Sequence, residues 1–357
     1  MEAAIKLGRQ YYIEIGQPQR INFIAREDSY HGTTLGALSM SGHVGRRAAY
    51  LPLLSTWVHP VSSCNAYRQR LAGETDGTFA SRKAAELDQK FRDLGPDTVI
   101  GFVCEPISGA ALGCVPYVPG YLAAMKAVCT KYGALFILDE VMCGMGRSGT
   151  LHAWQAEHSD EPGHNCVPDI QTIGKGLGGG YQPVAGVLIG HKIVKALKNG
   201  SGAFLHGQTY QAFPVASAAA LTVQRIIRRD NLLENVRVQG AYLSSLLHKR
   251  LDSHPHVGDI RGMGLFWGIE FVQTKESKKP FDRKLNIAKR INVTGLSKKW
   301  SMSFYPSQGT ADGTSGDHVI IAPAYNIVAA DVEHIVNTIQ GVIGEVFETL
   351  EREMADP

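Results

Sequence analysis

Residues 169–180 read DIQTIGKGLGGG, and the fold turns on how this stretch is read. DIQTIG forms a short strand that runs into a glycine cluster, and a second short strand, VAGVLIG, follows at 184–190. Gly174, Gly176 and Gly179 match the GxGxxG spacing of a dinucleotide site. That fingerprint needs a helix to open directly after the glycines. Tyr181-Gln182-Pro183 and a β-rich run follow instead, so the dinucleotide reading fails on context. A P-loop fails as well, because no Ser or Thr follows Lys175. Two readings remain: a solvated lysine in a flexible loop, or a lysine where a ligand approaches the backbone closely.

Working outward, helical and strand patterns alternate, which is the signature of an α/β protein with a largely parallel sheet. Residues 2–16 carry helical spacing, and INFIARE (21–27) is a short strand. A helix over 78–94 leads into the buried strand DTVIGFVCEP (97–106). Pro119 and Gly133 bracket a helix, and ALFILDEV (134–141) is an apolar strand ending in two carboxylates. Beyond residue 212 the pattern changes to helices over 212–229 and 231–252 and a strand region, GMGLFWGIEFV (262–272). A last helix is marked by apolar residues at i, i+3, i+4 steps from Val332 to Leu350. PSQGTADGTSGD (306–317) is expected to be a flexible loop. The expected division is a large α/β domain over 1–230 with a mostly parallel central sheet, and a smaller α+β C-terminal domain over 231–357.

Composition narrows the function classes. The 357 residues include 36 Lys plus Arg against 33 Asp plus Glu, a formal charge of +3 with no polybasic block. That near-balance argues against nucleic-acid binding by bulk charge. The N-terminus lacks a signal-peptide core, and no apolar run reaches the roughly 18 residues of a membrane span. Six cysteines without a CxxC pair suggest a reduced, cytoplasmic protein. His152, His158, His164 and Cys166 fit no standard zinc spacing, so no metal site is expected. Glu86, Asp88 and Asp93 read as the solvated face of a helix.

Asp139 stands at the carboxyl end of a buried strand, where α/β proteins bind ligands. Burial raises a carboxyl pKa unless a cation or a donor faces it, so an ionised Asp139 needs a partner; an N-cap or a salt bridge would serve equally well. Lysine and aspartate together suggest an aldehyde cofactor held as a Schiff base, with the carboxylate keeping a pyridine nitrogen protonated. Tyr30, in Ser29-Tyr30-His31-Gly32, is a candidate for stacking on such a ring. Thr209, in His206-Gly207-Gln208-Thr209-Tyr210, is a candidate phosphate ligand.

On these motifs the sequence resembles the class III aminotransferases, the ω-amino-acid branch of the fold type I pyridoxal-phosphate (PLP) enzymes. The likeness runs through YHG (30–32), EPISGAALG (105–113), LDEVMCGMGRSG (138–149), PDIQTIGKGLGGGYQPVAGV (168–187), HGQTYQAFPVASAAAL (206–221) and RGMGLFWGIE (261–270). The resemblance implies pyridoxal 5'-phosphate as cofactor, Lys175 as the Schiff-base lysine and Asp139 as the partner of the pyridine nitrogen. It implies Val141 under one ring face, Tyr30 on the other with His31 and Gly32 beside it, and Glu105 as the active-site glutamate. Thr209 resembles the threonine that reaches a neighbouring subunit's cofactor phosphate, which implies a homodimer with shared sites. The partners implied are an amino donor and a keto or aldehyde acceptor. A weakly active or inactive dimeric binding protein, or a racemase, aminomutase or phospho-lyase of the same family, stays open.

Two departures from the family pattern stand out. The family places a Gly/Ser phosphate-binding loop and a pocket-lining segment ahead of the helix that starts here at Glu2, and the sequence begins inside that motif. Such a loop supplies backbone N–H groups to a phosphate, so weaker cofactor binding is the expectation for a chain without it, whether a truncated gene model or a truly shortened protein. The second departure is that His318–Tyr325 contains no arginine for a substrate carboxylate. Arg147 and Arg261 read as turn supports.

Overall fold

The computed structural model describes residues 1–159, 161 and 163–355. Six strands build the larger sheet: β1 (Asn22–Arg26), β2 (Val58–Val61), β3 (Val99–Cys104), β6 (Leu135–Asp139), β7 (Ile170–Ile173) and β8 (Gly186–Ile189). Between β3 and β6, β4 (Ile107–Ser108) and β5 (Val115–Pro116) form a separate two-stranded ribbon. The sheet order is β2-β1-β3-β6-β7-β8, parallel throughout except for β8, which runs antiparallel to β7 along one edge.

Both faces of this sheet are covered, which is why its central strands read as continuous apolar runs rather than alternating ones. The helices of this part of the chain are α1 (Glu2–Glu14), α2 (Leu35–Met40), α3 (Val44–Arg47), α4 (Ala66–Gln69), α5 (Asp76–Leu94), α6 (Tyr121–Lys131) and α7 (His191–Asn199). Phe23, Ile100, Leu135 and Ile137 turn to the layer holding Leu7 and Tyr12 of α1 and Ile193 of α7. Their strand neighbours Ile24, Phe102, Phe136 and Leu138 turn the other way, onto Phe79, Leu87 and Phe91 of α5 and Leu122 and Met125 of α6. Period-2 alternation sorts the side chains of β1 and β6 into two cores, and in β3 a register shift against β1 at Asn22 and Phe23 lets Ile100 and Phe102 face opposite ways. The capping box of Thr75 and Thr78 starts α5, and Gly95 at φ 82° ends it. Glu86 on that helix departs from the solvated face expected of it. Its carboxylate accepts the Ser62 N–H at 2.7 Å and so fastens α5 to the end of β2.

Downstream lie α8 (Pro214–Arg229), α9 (Leu232–Leu251), α10 (Ile287–Gly295) and α11 (Ala329–Ala355). With them is an antiparallel sheet of β9 (Val257–Met263), β10 (Phe266–Phe271), β11 (Tyr305–Gln308) and β12 (Asp317–Ile321), ordered β11-β12-β10-β9. Leu243 and Leu247 of α9, Ile287 and Ile291 of α10, and Val336, Ile339 and Ile343 of α11 share one core with Ile269 and Phe271. The strand region expected over 262–272 holds β10 and the end of β9, joined by a hairpin turn at Gly264, with φ 59°, and Leu265. One reading needs correcting. Residues 306–317 are no loose loop: Tyr305–Gln308 pairs with β12. Across the turn that follows, Gly309 donates to the Gly316 carbonyl at 2.8 Å, and Asp312 accepts the N–H groups of Thr314 and Ser315. Gly, Ser, Thr and Asp make tight hydrogen-bonded turns as readily as mobile segments, so composition could not separate the two. Among the described residues, no helix is long and apolar enough to cross a membrane.

Candidate active site

The candidate residues gather at the carboxyl ends of four adjacent parallel strands. Tyr30 and His31 follow β1, Glu105 follows β3, Asp139 ends β6, and Lys175 stands two residues beyond β7. Open α/β sheets present ligand crevices at this edge, because the loops there diverge as the chain turns into its crossover segments.

Asp139 is buried, and burial pushes its carboxyl pKa up. Against that stand His31, Thr172 and the Val141 N–H. His31 Nδ1 lies 2.8 Å from Asp139 Oδ2, while Thr172 Oγ1 and the Val141 N–H donate to Oδ1 at 2.8 and 3.1 Å. The donors prevail, and the Asp139 pKa falls below its ordinary value of 3.8. An ionised carboxylate makes the imidazole Nδ1–H the donor in the His31 contact. Thr172 was missed from the sequence; its only signal is a position on the strand next to Asp139, and the parallel register sets the two side by side.

The strand pairing that joins Asp139 to Thr172 also brings Lys175 to the same edge. Lys175 has φ 42°, in the left-handed region that is costly for a side chain with a Cβ. Its carbonyl accepts the N–H groups of Gly178 and Gly179, which closes the glycine loop under it. Its amine has no hydrogen bond or ion pair with any described residue and is exposed. At Gly174, a Cβ would lie 3.3 Å from Val141 Cγ1, so the backbone before the lysine and the Val141 side chain share one floor.

At the ends of β1 and β3, the Tyr30 N–H donates to Glu105 Oε1 at 3.0 Å, and Glu105 Oε2 accepts from Gly109 N at 3.2 Å. Burial raises the Glu105 pKa, with the charges of His31 and Arg26 opposing. His31 is fixed from behind as well, its N–H on Ser41 Oγ at 2.8 Å. Gly32 has φ 134°, and a Cβ there would press on Ala37 at 3.0 Å, so the Tyr-His-Gly turn needs glycine at its third position. Thr209 is not brought to this cluster by any hydrogen bond. It sits in the exposed segment 205–213 and bonds to no described residue.

The two arginines read as turn supports both hold backbone carbonyls. Arg261 is buried, donating to the Gly113 and Leu112 carbonyls and pairing with Asp259 and Glu270. Arg147 donates to the Leu265 and Pro323 carbonyls and lies 4.5 Å from the Tyr325 ring centre.

An ionised carboxylate, an unpaired amine, an apolar floor and an aromatic ring, all on one strand edge, fit a flat pyridine ring bearing an aldehyde. The family profile described as Aminotransferase class-III matches residues 1–343. The chain belongs to the class III aminotransferases. Class III aminotransferases are PLP-dependent, and the larger sheet with its helices is the fold type I arrangement they share. An aminotransferase of Gibberella zeae is 54% identical over 96% of this chain, and an uncharacterized aminotransferase of Schizosaccharomyces pombe is 44% identical over 96%. The chain spans 66% and 73% of those two relatives' lengths. The ω-transaminase of Pseudomonas jessenii, solved in complex with PMP, superposes with a TM-score of 0.87 at 30% identity, covering 97% of this chain and 73% of that one.

Proposed function

We propose that this class III aminotransferase moves an amino group from an amino acid or amine donor to a keto or aldehyde acceptor, with Lys175 and Asp139 at opposite ends of its cofactor. When bound, pyridoxal 5'-phosphate supplies an aldehyde carbon that condenses with amines and a ring that withdraws electrons from the bond being broken. Asp139, kept ionised by its three donors, would hold a proton on the cofactor's ring nitrogen. The Lys175 amine would hold the cofactor at its aldehyde carbon, and the same amine would serve as the base for the proton on the donor's amine-bearing carbon. Val141 and Tyr30 would pack against the cofactor ring and help to exclude water from it. Glu105 fixes the Tyr30 backbone and lines the pocket beside it.

Thr209 belongs to this reading as a phosphate ligand of a second protomer's site. Its segment exposes Leu205, Tyr210, Phe213 and Val215, an apolar stretch that supports burial against another copy. We infer a homodimer on that ground, with a large domain ending near residue 230 and a small one following it. The six cysteines, all buried and unpaired, support a reducing cytoplasmic setting.

The carrying observation is Asp139, a buried carboxylate with a lowered pKa one strand away from the unpaired Lys175. Titrating purified protein with pyridoxal 5'-phosphate should produce the visible absorbance of a lysine-held cofactor and transamination with an amino donor. Lys175→Ala should lose both. Turnover by that variant would remove Lys175 from the role.

A further inference from the structure

Tyr30 is held by more than its backbone. The Arg46 guanidinium carbon lies 4.4 Å from the centre of the Tyr30 ring, within cation–π range. Arg46 belongs to the short helix α3 and is half-buried, and it forms no ion pair with a described residue. Its guanidinium donates from Nη2 to the Tyr305 hydroxyl at 2.7 Å. Tyr305 opens β11, the edge strand of the smaller sheet. Arg261 spends its guanidinium donors on carbonyls and carboxylates, and Arg147 joins two carbonyls to the Tyr325 ring; Arg46 places its charge against the Tyr30 ring and the Tyr305 phenol.

We propose that Arg46 is a positioning residue: it fixes the plane of the Tyr30 ring and ties that plane to the smaller sheet through Tyr305. The proposal rests on the reading of Tyr30 as the aromatic against the cofactor. A ring covered by a guanidinium on one face offers a flat ligand only the other, so Arg46 both selects the face and limits its tilt. Ala111, Leu112 and Val115 pack against Tyr30 and restrict its remaining freedom. Because the clamp joins the two sheets, a shift of β11 would move the Tyr30 ring without disturbing the bond from its backbone to Glu105.

A double-mutant cycle on the full-length chain separates this from a merely structural role. Arg46→Met should weaken pyridoxal 5'-phosphate binding roughly two- to fivefold, the worth of one such contact. In a Tyr30→Leu background, the same change should have no further effect. Arg46→Lys should recover part of the loss, and Tyr305→Phe should show a smaller loss than Arg46→Met. Urea unfolding of the same four proteins without added cofactor reads the contact by itself, and the two single shifts should sum to more than the double shift. Additive losses in both cycles would overturn the proposal. So would a variant Arg46→Met with unchanged cofactor affinity and a raised KM for carboxylate-bearing donors alone, since Arg46 would then touch substrate directly. If the wild-type protein binds no cofactor, the functional reading fails while the unfolding cycle still tests the clamp.

Discussion

Asp139 shows how a single side chain is tuned by its surroundings. Three donors outweigh its burial, and the charge survives where an unaided carboxyl would take up a proton. Asp139→Asn should preserve the fold and lower turnover by about 100-fold or more, the scale for losing an electrostatic contact aimed at developing charge. Removing one donor instead should shift the balance by degree. In His31→Ala the Asp139 pKa should rise, so the acid limb of the pH–rate profile should move to higher pH. Its neighbour Glu140 behaves oppositely. Burial raises its pKa from 4.5 to about 7, although the Ala153 and Trp154 N–H groups favour the charge. A raised folded-state value stabilises the protein fully below the unfolded value, and that contribution fades as pH climbs through about 7. Wild-type stability should therefore fall relative to Glu140→Gln between pH 5 and 8, by a few kcal/mol at most, as urea midpoints at each pH would show. Lys175, Asp139 and Tyr30 could be named as candidates from residue type and place along the strands, and Glu105 from the family resemblance alone; the structure sets all four at one edge of the sheet. Thr172, Ser41 and Arg46 could not be named, because they act through neighbours that only folding supplies.

At the scale of elements, boundaries followed local signals. The helix expected over 78–94 is α5, opened two residues earlier by the Thr75–Thr78 capping box. Thr75→Ala should cost about 1 kcal/mol, measurable as a lowered urea midpoint with cofactor binding unchanged. The strand expected over 134–141 is β6, closed at Asp139, where the chain turns away from the sheet. The hairpin at 264–265 lay hidden because its first strand, VGDIRGM, mixes polar residues and glycines and is only partly buried, so it leaves no apolar run to mark it. Where the sequence misled, two structures shared one composition. The turn over 309–316 carries the residues of a loose loop, yet its backbone groups find partners within it and along β12.

For the molecule as a whole, exposure singles out the segment around Thr209. Tyr210 is 80% and Phe213 44% exposed, and the two rings stand edge to face at 6.3 Å. Replacing both with aspartate should dissociate the proposed dimer, as light scattering after size-exclusion chromatography would show. Cofactor affinity should fall with it, because Thr209 would no longer reach the second protomer's phosphate; a variant that stays dimeric would place the interface elsewhere. The sequence by itself determined the alternating α/β order, the apolar strands and the residue types that a lysine-held pyridine cofactor requires, since these follow from local periodicity and side-chain chemistry. Tertiary structure alone decided which partners keep Asp139 charged, that β8 reverses at the sheet edge, and that an arginine from a four-residue helix meets the Tyr30 ring. Those outcomes depend on strand register and on contacts between residues far apart in the chain, and neither leaves a periodic trace along it.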